Sequence, residues 1–196
     1  MEGVTLFYQR YFPIIGRRFE QELNPAYEYH NLRHTLDVIE CSQNIGRAEG
    51  CDEYELALIS VAALFHDTGF LYQRKNHEAY SVKIFLEEAH DTNTLSDNEI
   101  AIITGCIKAT RMPQKPNNKL EAILCDADLD YLGREDFKAI GDALYREMVY
   151  CGEMGTKEAW NTLQIDFLSA HTFFTLHSKE KRYPVLQKNL ADLCRQ

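Results

Sequence analysis

Asp52–Gly69, DEYELALISVAALFHDTG, reads as a capped apolar helix that runs into an adjacent histidine and aspartate. Asp52 with Glu55 three residues on is a capping-box-like start, and Leu56, Ile59, Ala63 and Leu64 follow at helical spacing until Thr68-Gly69 can terminate the helix near His66-Asp67. Helical signals continue on both sides. Val4 to Leu23 shows three- and four-residue apolar steps, closed by Asn24-Pro25 because the residue before proline resists helical geometry. A second helix is expected from about Asn31 to Glu49, and a fourth from His77 to His90. Ser96 and Glu99 form a further capping box, opening a helix that runs to about Thr110. Past a loop with Pro113, Pro116, Asn117 and Asn118, helices are expected over Lys119–Leu132, Arg134–Cys151 and Thr156 to about His177, with a short one after Pro184. Alternating strand patterns are nearly absent, so the fold class is all-α: a single compact helical domain of about eight or nine helices.

No repeat, low-complexity tract or long Pro/Gly/Ser linker divides the chain, and 196 residues suffice for one core without disulfides as support, so one domain spanning 1–196 is expected. The formal charge of −9 argues against a broad nucleic-acid or anionic-membrane surface, since both need clustered Lys and Arg. Six scattered cysteines without Cys-x-x-Cys suggest neither a zinc knuckle nor a disulfide framework and fit a reducing cytoplasm. Met1-Glu2-Gly3 lacks the basic-then-apolar order of a signal peptide, and no apolar run is long enough for a membrane span.

Three segments carry residues suited to chemistry. Tyr29-His30-Asn31-Leu32-Arg33-His34 places two histidines on one helical face, with Asp37 on the same stripe, an arrangement that suits a metal ligand and an orienting carboxylate or, equally, a solvated polar face. His66-Asp67 ends an apolar helix, where a buried carboxylate needs a cationic partner to offset its desolvation; a divalent ion suits that role. In Ile123-Leu124-Cys125-Asp126-Ala127-Asp128-Leu129-Asp130, a rotation of about 100° per residue puts Leu120, Ile123, Leu124, Ala127 and Tyr131 on the buried face. Asp126 then points away from that face, while Asp128 and Asp130 flank it nearly equally.

Taken in order, Tyr-His-Asn ahead of His34, His66-Asp67-x-Gly69 and Ala127-Asp128-Leu129 resemble the HD superfamily of metal-dependent phosphohydrolases, over roughly Tyr29 to Gly133. The resemblance implies a motif-bearing core of about 29–133 followed by C-terminal helices 134–196, and a metal set of His34, His66, Asp67 and Asp128. It selects Asp128 over Asp130 because the family's final ligand directly follows the alanine. It implies one divalent ion (Mn, Fe, Co, Mg or Zn), with room for a second. Asn76-His77-Glu78-Ala79-Tyr80-Ser81 is similar to a His-Glu-x-x-Ser stretch of the deoxynucleoside triphosphate triphosphohydrolase branch, and His30 is similar to the general acid of cyclic-nucleotide phosphodiesterases. His77 and His30 are therefore rival catalytic proton donors, with His77 placed first.

The activity so implied is hydrolysis of a phosphate ester or anhydride in a small phosphorylated molecule, a nucleotide or related metabolite. An anionic substrate approaching an acidic protein calls for a local basic patch, and Lys108, Arg111, Lys115 and Lys119 lie in a stretch without an acid; Lys108, Arg111, Lys115 and Arg33 are the expected phosphate contacts and Arg74 a weaker one. Two alternatives remain: an HD-type di-iron oxygenase, which needs further histidine ligands, and a non-catalytic nucleotide-binding module. His90, His171 and His177 match no motif, and Trp160 reads as core.

Overall fold

A computed structural model describes residues 2–195; Met1 and Gln196 lie outside the described residues. Ten α-helices follow one another: α1 (Glu2–Glu22), α2 (Leu32–Ala48), α3 (Glu53–Phe65), α4 (His77–Thr92), α5 (Asp97–Ala109), α6 (Lys119–Asp128), α7 (Phe137–Tyr150), α8 (Lys157–Ala170), α9 (Leu176–Lys181) and α10 (Tyr183–Leu193), with 3-10 turns at Thr68–Leu71 and Asp130–Gly133. No strand occurs among the described residues. The expected capping boxes at Asp52/Glu55 and Ser96/Glu99 are both present, and each satisfies orphan amides at a helix start. Pro13 lies inside α1 without ending it.

α3 is the centre of the structure. From Leu56 to Phe65 only Ala57 escapes full burial, because α1, α2, α5 and α6 pack around this helix. A helix apolar on all sides belongs in a core, so the two residues that follow it, His66 and Asp67, are delivered into the interior. A larger apolar cluster draws on α1 to α6, and a smaller one joins Tyr29, Tyr131, Leu132, Phe137, Leu168, Phe173 and Leu186. Asp128 falls between Ala127 of the first cluster and Leu129, which packs on the second.

Three expectations are corrected. The helix expected from Thr156 to about His177 breaks after Ala170, and α9 starts at Leu176. Asp126, expected to point away from the buried face of α6, is itself fully buried and causes the break: its carboxylate accepts hydrogen bonds from the Phe174 amide (2.8 Å), the Thr175 amide (2.8 Å) and the Thr175 hydroxyl (2.6 Å). The amides are thereby drawn out of helical pairing, and a second side of α6 is covered. Likewise the expected helix over 119–132 ends at Asp128, so rotation at a fixed angle does not carry through to Asp130. Asp130 instead sits in the 3-10 turn, where it pairs with Arg182 (2.7 Å) and Arg134 (3.6 Å).

Replacing Asp126→Ala leaves buried amides of the 174–175 segment without an acceptor, so stability should fall by about 2–3 kcal/mol. A lower urea midpoint with an unchanged m-value is the expected result.

Candidate metal centre

Each residue of the site is positioned by a local device. Asn31 caps α2, its side-chain oxygen accepting from the Arg33 (2.9 Å) and His34 (3.4 Å) amides while its amide group donates to the Glu28 carbonyl (2.8 Å). This fixes His34 in the first turn of α2. His66 donates from Nδ1 to the Ala63 carbonyl at 2.7 Å, which sets the tautomer and leaves the Nε2 lone pair free in the neutral ring. Gly69 follows in a tight turn: a Cβ there would lie 2.0 Å from the His77 carbonyl oxygen, and its amide donates to the Ser81 hydroxyl at 2.8 Å. Close approach of backbone to backbone thus brings the start of α4, and His77 with it, beside Asp67. Asn76, with φ +58°, makes the turn into α4 in the left-handed region that asparagine tolerates.

His34 Nε2 lies 3.4 Å from His66 Nε2, 3.2 Å from Asp128 Oδ1 and 3.5 Å from Asp67 Oδ2; His66 Nε2 lies 3.3 Å from Asp67 Oδ2 and 3.6 Å from Asp128 Oδ1. Ligand bonds of about 2.0–2.2 Å in a tetrahedral or octahedral shell set neighbouring donors about 3.0–3.6 Å apart. The spacings among His34 Nε2, His66 Nε2 and Asp128 Oδ1 are those of atoms converging on one ion, with Asp67 Oδ2 beside both imidazoles. Asp67 Oδ2 is buried and without a hydrogen-bond partner, which is costly for a carboxylate unless a cation meets it. Among the described residues no lysine or arginine pairs with Asp67 or Asp128. The donor set therefore fits a divalent metal, and His34, His66 and Asp128 form the one such group of three convergent donors among the described residues.

The protonation balance follows from this crowding. Burial would push Asp67 up, but His66, His77 and His30 hold it well below the carboxylate range; Asp128 is held at about 2 by His34 and His66 against the same burial. His66 is raised well above its usual value because Asp67 and Asp128 outweigh desolvation. A metal would replace the protons that these imidazoles otherwise carry, so its binding should weaken as pH falls.

Both rival proton donors border the same cavity, of about 320 Å³, which Asp67 and Asp128 also line. His77 Nε2 is 3.4 Å from Asp67 Oδ1 and its Nδ1 faces the Arg74 carbonyl at 3.2 Å; Asp67 raises its pKa against the opposing effect of burial. His30 stacks on Phe70 at 4.0 Å, a ring that also touches His77 at 4.1 Å. Burial lowers the His30 pKa despite its hydrogen bond from Nδ1 to Glu147.

The other expected residues lie elsewhere. Lys108, Arg111 and Lys115 surround a separate surface hollow, Arg33 borders another with Asp37 and Glu40, and none of the four lines the cavity at the centre. Thr110 and Met112, from the same loop as the lysines, do line it. Lys119 pairs with Glu55 at 2.9 Å, and Arg74 with Glu153 (2.9 Å) and Glu147. Asp37 does not orient His34; it holds Arg134 at 2.8 Å.

Glu147 is the residue the sequence reading missed. Fully buried on α7, it accepts from the Tyr29 (2.9 Å) and His30 (3.0 Å) amides, from His30 Nδ1 and from Arg74, and these donors keep it ionised down to about 2 although burial opposes the charge. A signal existed: Glu147 stands three residues after Leu144 and seven after Ile140, an acid on an apolar stripe, as Asp67 is an acid at an apolar helix end.

The family profile described as HD domain matches residues 31–130. The chain belongs to the HD domain family. That span starts at the Asn31 cap and ends two residues past Asp128, enclosing His34, His66 and Asp128. No curated protein matches the chain. Among solved structures it is similar to a predicted HD superfamily hydrolase from an uncultured Thermotogales bacterium, with a TM-score of 0.57, 21% identity and coverage of 95% of this chain and 91% of that one. The likeness in fold covers the C-terminal helices as well as the span that the family profile matches. Membership in the HD family, together with a donor set that fits an ion, supports a metal-dependent hydrolase in general terms. Among the described residues, no helix is long and apolar enough to cross a membrane.

Two outcomes are expected. Adding a chelator should lower the thermal midpoint of wild type but not of His66→Ala, since an ion bound only to the native state stabilises it by mass action. Gly69→Ala, which forces backbone against backbone, should cost at least about 1–3 kcal/mol in a denaturant titration.

Proposed function

We propose that this HD protein hydrolyses a phosphate ester or anhydride in a small phosphorylated molecule, a nucleotide or related metabolite, using one divalent ion held by His34, His66, Asp67 and Asp128. The observation that carries the reading is Asp67 Oδ2, buried and unpartnered, 3.3 and 3.5 Å from two imidazole nitrogens. A divalent ion, when bound, lowers the pKa of water from about 15.7 toward neutrality and polarises a phosphoryl oxygen. In hydrolysis the oxygen of water bonds to phosphorus, the bond from phosphorus to the leaving oxygen breaks, and that oxygen takes up a proton.

His77 is the first choice to give that proton. It borders the cavity, and Asp67 raises its pKa, so it keeps its proton to higher pH than an ordinary histidine. His30, with its pKa lowered, is the second choice, and Glu147 orients it through Nδ1. Lys108, Arg111, Lys115 and Arg33 act in this reading through the long-range field that draws an anion in, not by contact within the cavity. The chain works as one unit in this proposal, because α7 and α8 supply walls of the same cavity that the proposed ligands Asp67 and Asp128 line.

Phosphate release from a panel of phosphorylated metabolites, with Mn, Co, Fe, Mg or Zn added, should be lost in His66→Ala and Asp128→Ala. No release by wild type with any metal, alongside stable nucleotide binding, would leave the non-catalytic module; oxygen consumption would select the oxygenase. Removing the proton donor should slow hydrolysis of an alkyl phosphate by roughly 10²–10⁴-fold. It should hardly affect p-nitrophenyl phosphate, whose leaving group departs without protonation. His77→Ala is expected to show that split, and His30→Ala showing it instead would reassign the role.

A further inference from the structure

The cavity beside the proposed metal ligands has a lining of two kinds. Asp67, Asp128, Glu78, His30 and His77 are charged or titratable; most of the others, Leu132, Phe137, Leu144, Trp160, Leu163 and Phe167 among them, are apolar. Every charged residue of the lining, histidines aside, is an acid, and no lysine or arginine is among them. Its volume of about 320 Å³ stands at the low end of the roughly 300–1,000 Å³ range of small-molecule sites.

Resting on the hydrolase reading, we infer that the substrate is a phosphate monoester of an uncharged, largely apolar alcohol, whose organic part fills the cavity between α7 and α8. A single phosphoryl group can be met by the ion and the two histidines. A polyphosphate brings further negative charge that sites of this kind neutralise with Arg or Lys forks, and here the next charges along the wall are carboxylates. An apolar wall rewards an apolar ligand by removing both surfaces from water. Thr110, Gln164 and the phenols of Tyr29 and Tyr131 bring polar groups to that wall, while the Trp160 indole N–H is buried and has no hydrogen-bond partner.

Trp160 also makes the inference testable without turnover, because it is the one tryptophan of the chain. Its emission, excited beyond the absorbance of the ligands, is titrated with phenyl phosphate, phenol, pyrophosphate and ATP, on wild type and on His66→Ala. A saturable change is expected with phenyl phosphate and phenol, in both proteins for phenol, and none with pyrophosphate. In parallel, kcat/KM of the Mn-loaded wild type for phenyl phosphate should exceed that for ATP or pyrophosphate by at least about tenfold. Leu163→Arg, placed where the side chain is 42% exposed and a charge can be solvated, should shrink that ratio. Equal or greater turnover of ATP, or a Trp160 signal indifferent to phenol, overturns the inference while leaving the hydrolase reading intact. A saturable phenol signal with no phosphate released from any ester supports the assignment of the cavity and sinks the hydrolase reading.

Discussion

The structure is organised around a carboxylate in the wrong place for water. Asp67 ends a helix buried on every side, and one of its oxygens has no hydrogen-bond partner. An ionised group there is tolerable only if positive charge meets it. What surrounds it are imidazoles from three separate segments, at His34, His66 and His77, and not the lysine or arginine of an ordinary buried pair. A neutral imidazole brings no charge to offset a carboxylate, so the arrangement is electrostatically incomplete unless the rings carry protons or share a cation. The Asn31 cap, the Ala63 carbonyl that fixes the His66 tautomer and the tight turn at Gly69 all serve to hold this one convergence.

A second tier ties the C-terminal helices to the centre. Glu147 reaches from α7 to the Tyr29-His30 backbone and to Arg74, so the loop before α2 and the loop before α4 are held by one buried acid. Asp126 does the equivalent on the far side of α6, gripping the segment between α8 and α9. These polar anchors add to the Asp37–Arg134 and Asp130–Arg182 pairs that tie the C-terminal helices to the rest. They explain why an HD-type core is accompanied by helices beyond residue 130: those helices hold the loops that carry the histidines and build the apolar walls of the cavity.

Much of this was legible in the sequence, for physical reasons that differ from residue to residue. Helix starts at Asp52 and Ser96 could be placed because capping is local chemistry written in four residues. His34, His66 and Asp128 form a convergent group, and family resemblance had supplied what periodicity left open between Asp128 and Asp130. Asp126 and Glu147 were misjudged or missed because their partners are backbone amides 48 and 118 residues away, which no local pattern encodes. The basic loop at Lys108–Lys115 drew attention as composition, but placement decides contact, and its cations face a neighbouring hollow while Thr110 and Met112 face the cavity.

The central claim is that four donors share one divalent ion. Anomalous X-ray diffraction from crystals grown with Mn or Co, collected on both sides of the metal absorption edge, tests it most directly. A single strong peak within about 2.0–2.3 Å of His34 Nε2, His66 Nε2, Asp67 Oδ2 and Asp128 Oδ1 is the predicted result. No peak at that position, with Asp67 instead paired to protonated imidazoles, would contradict the account.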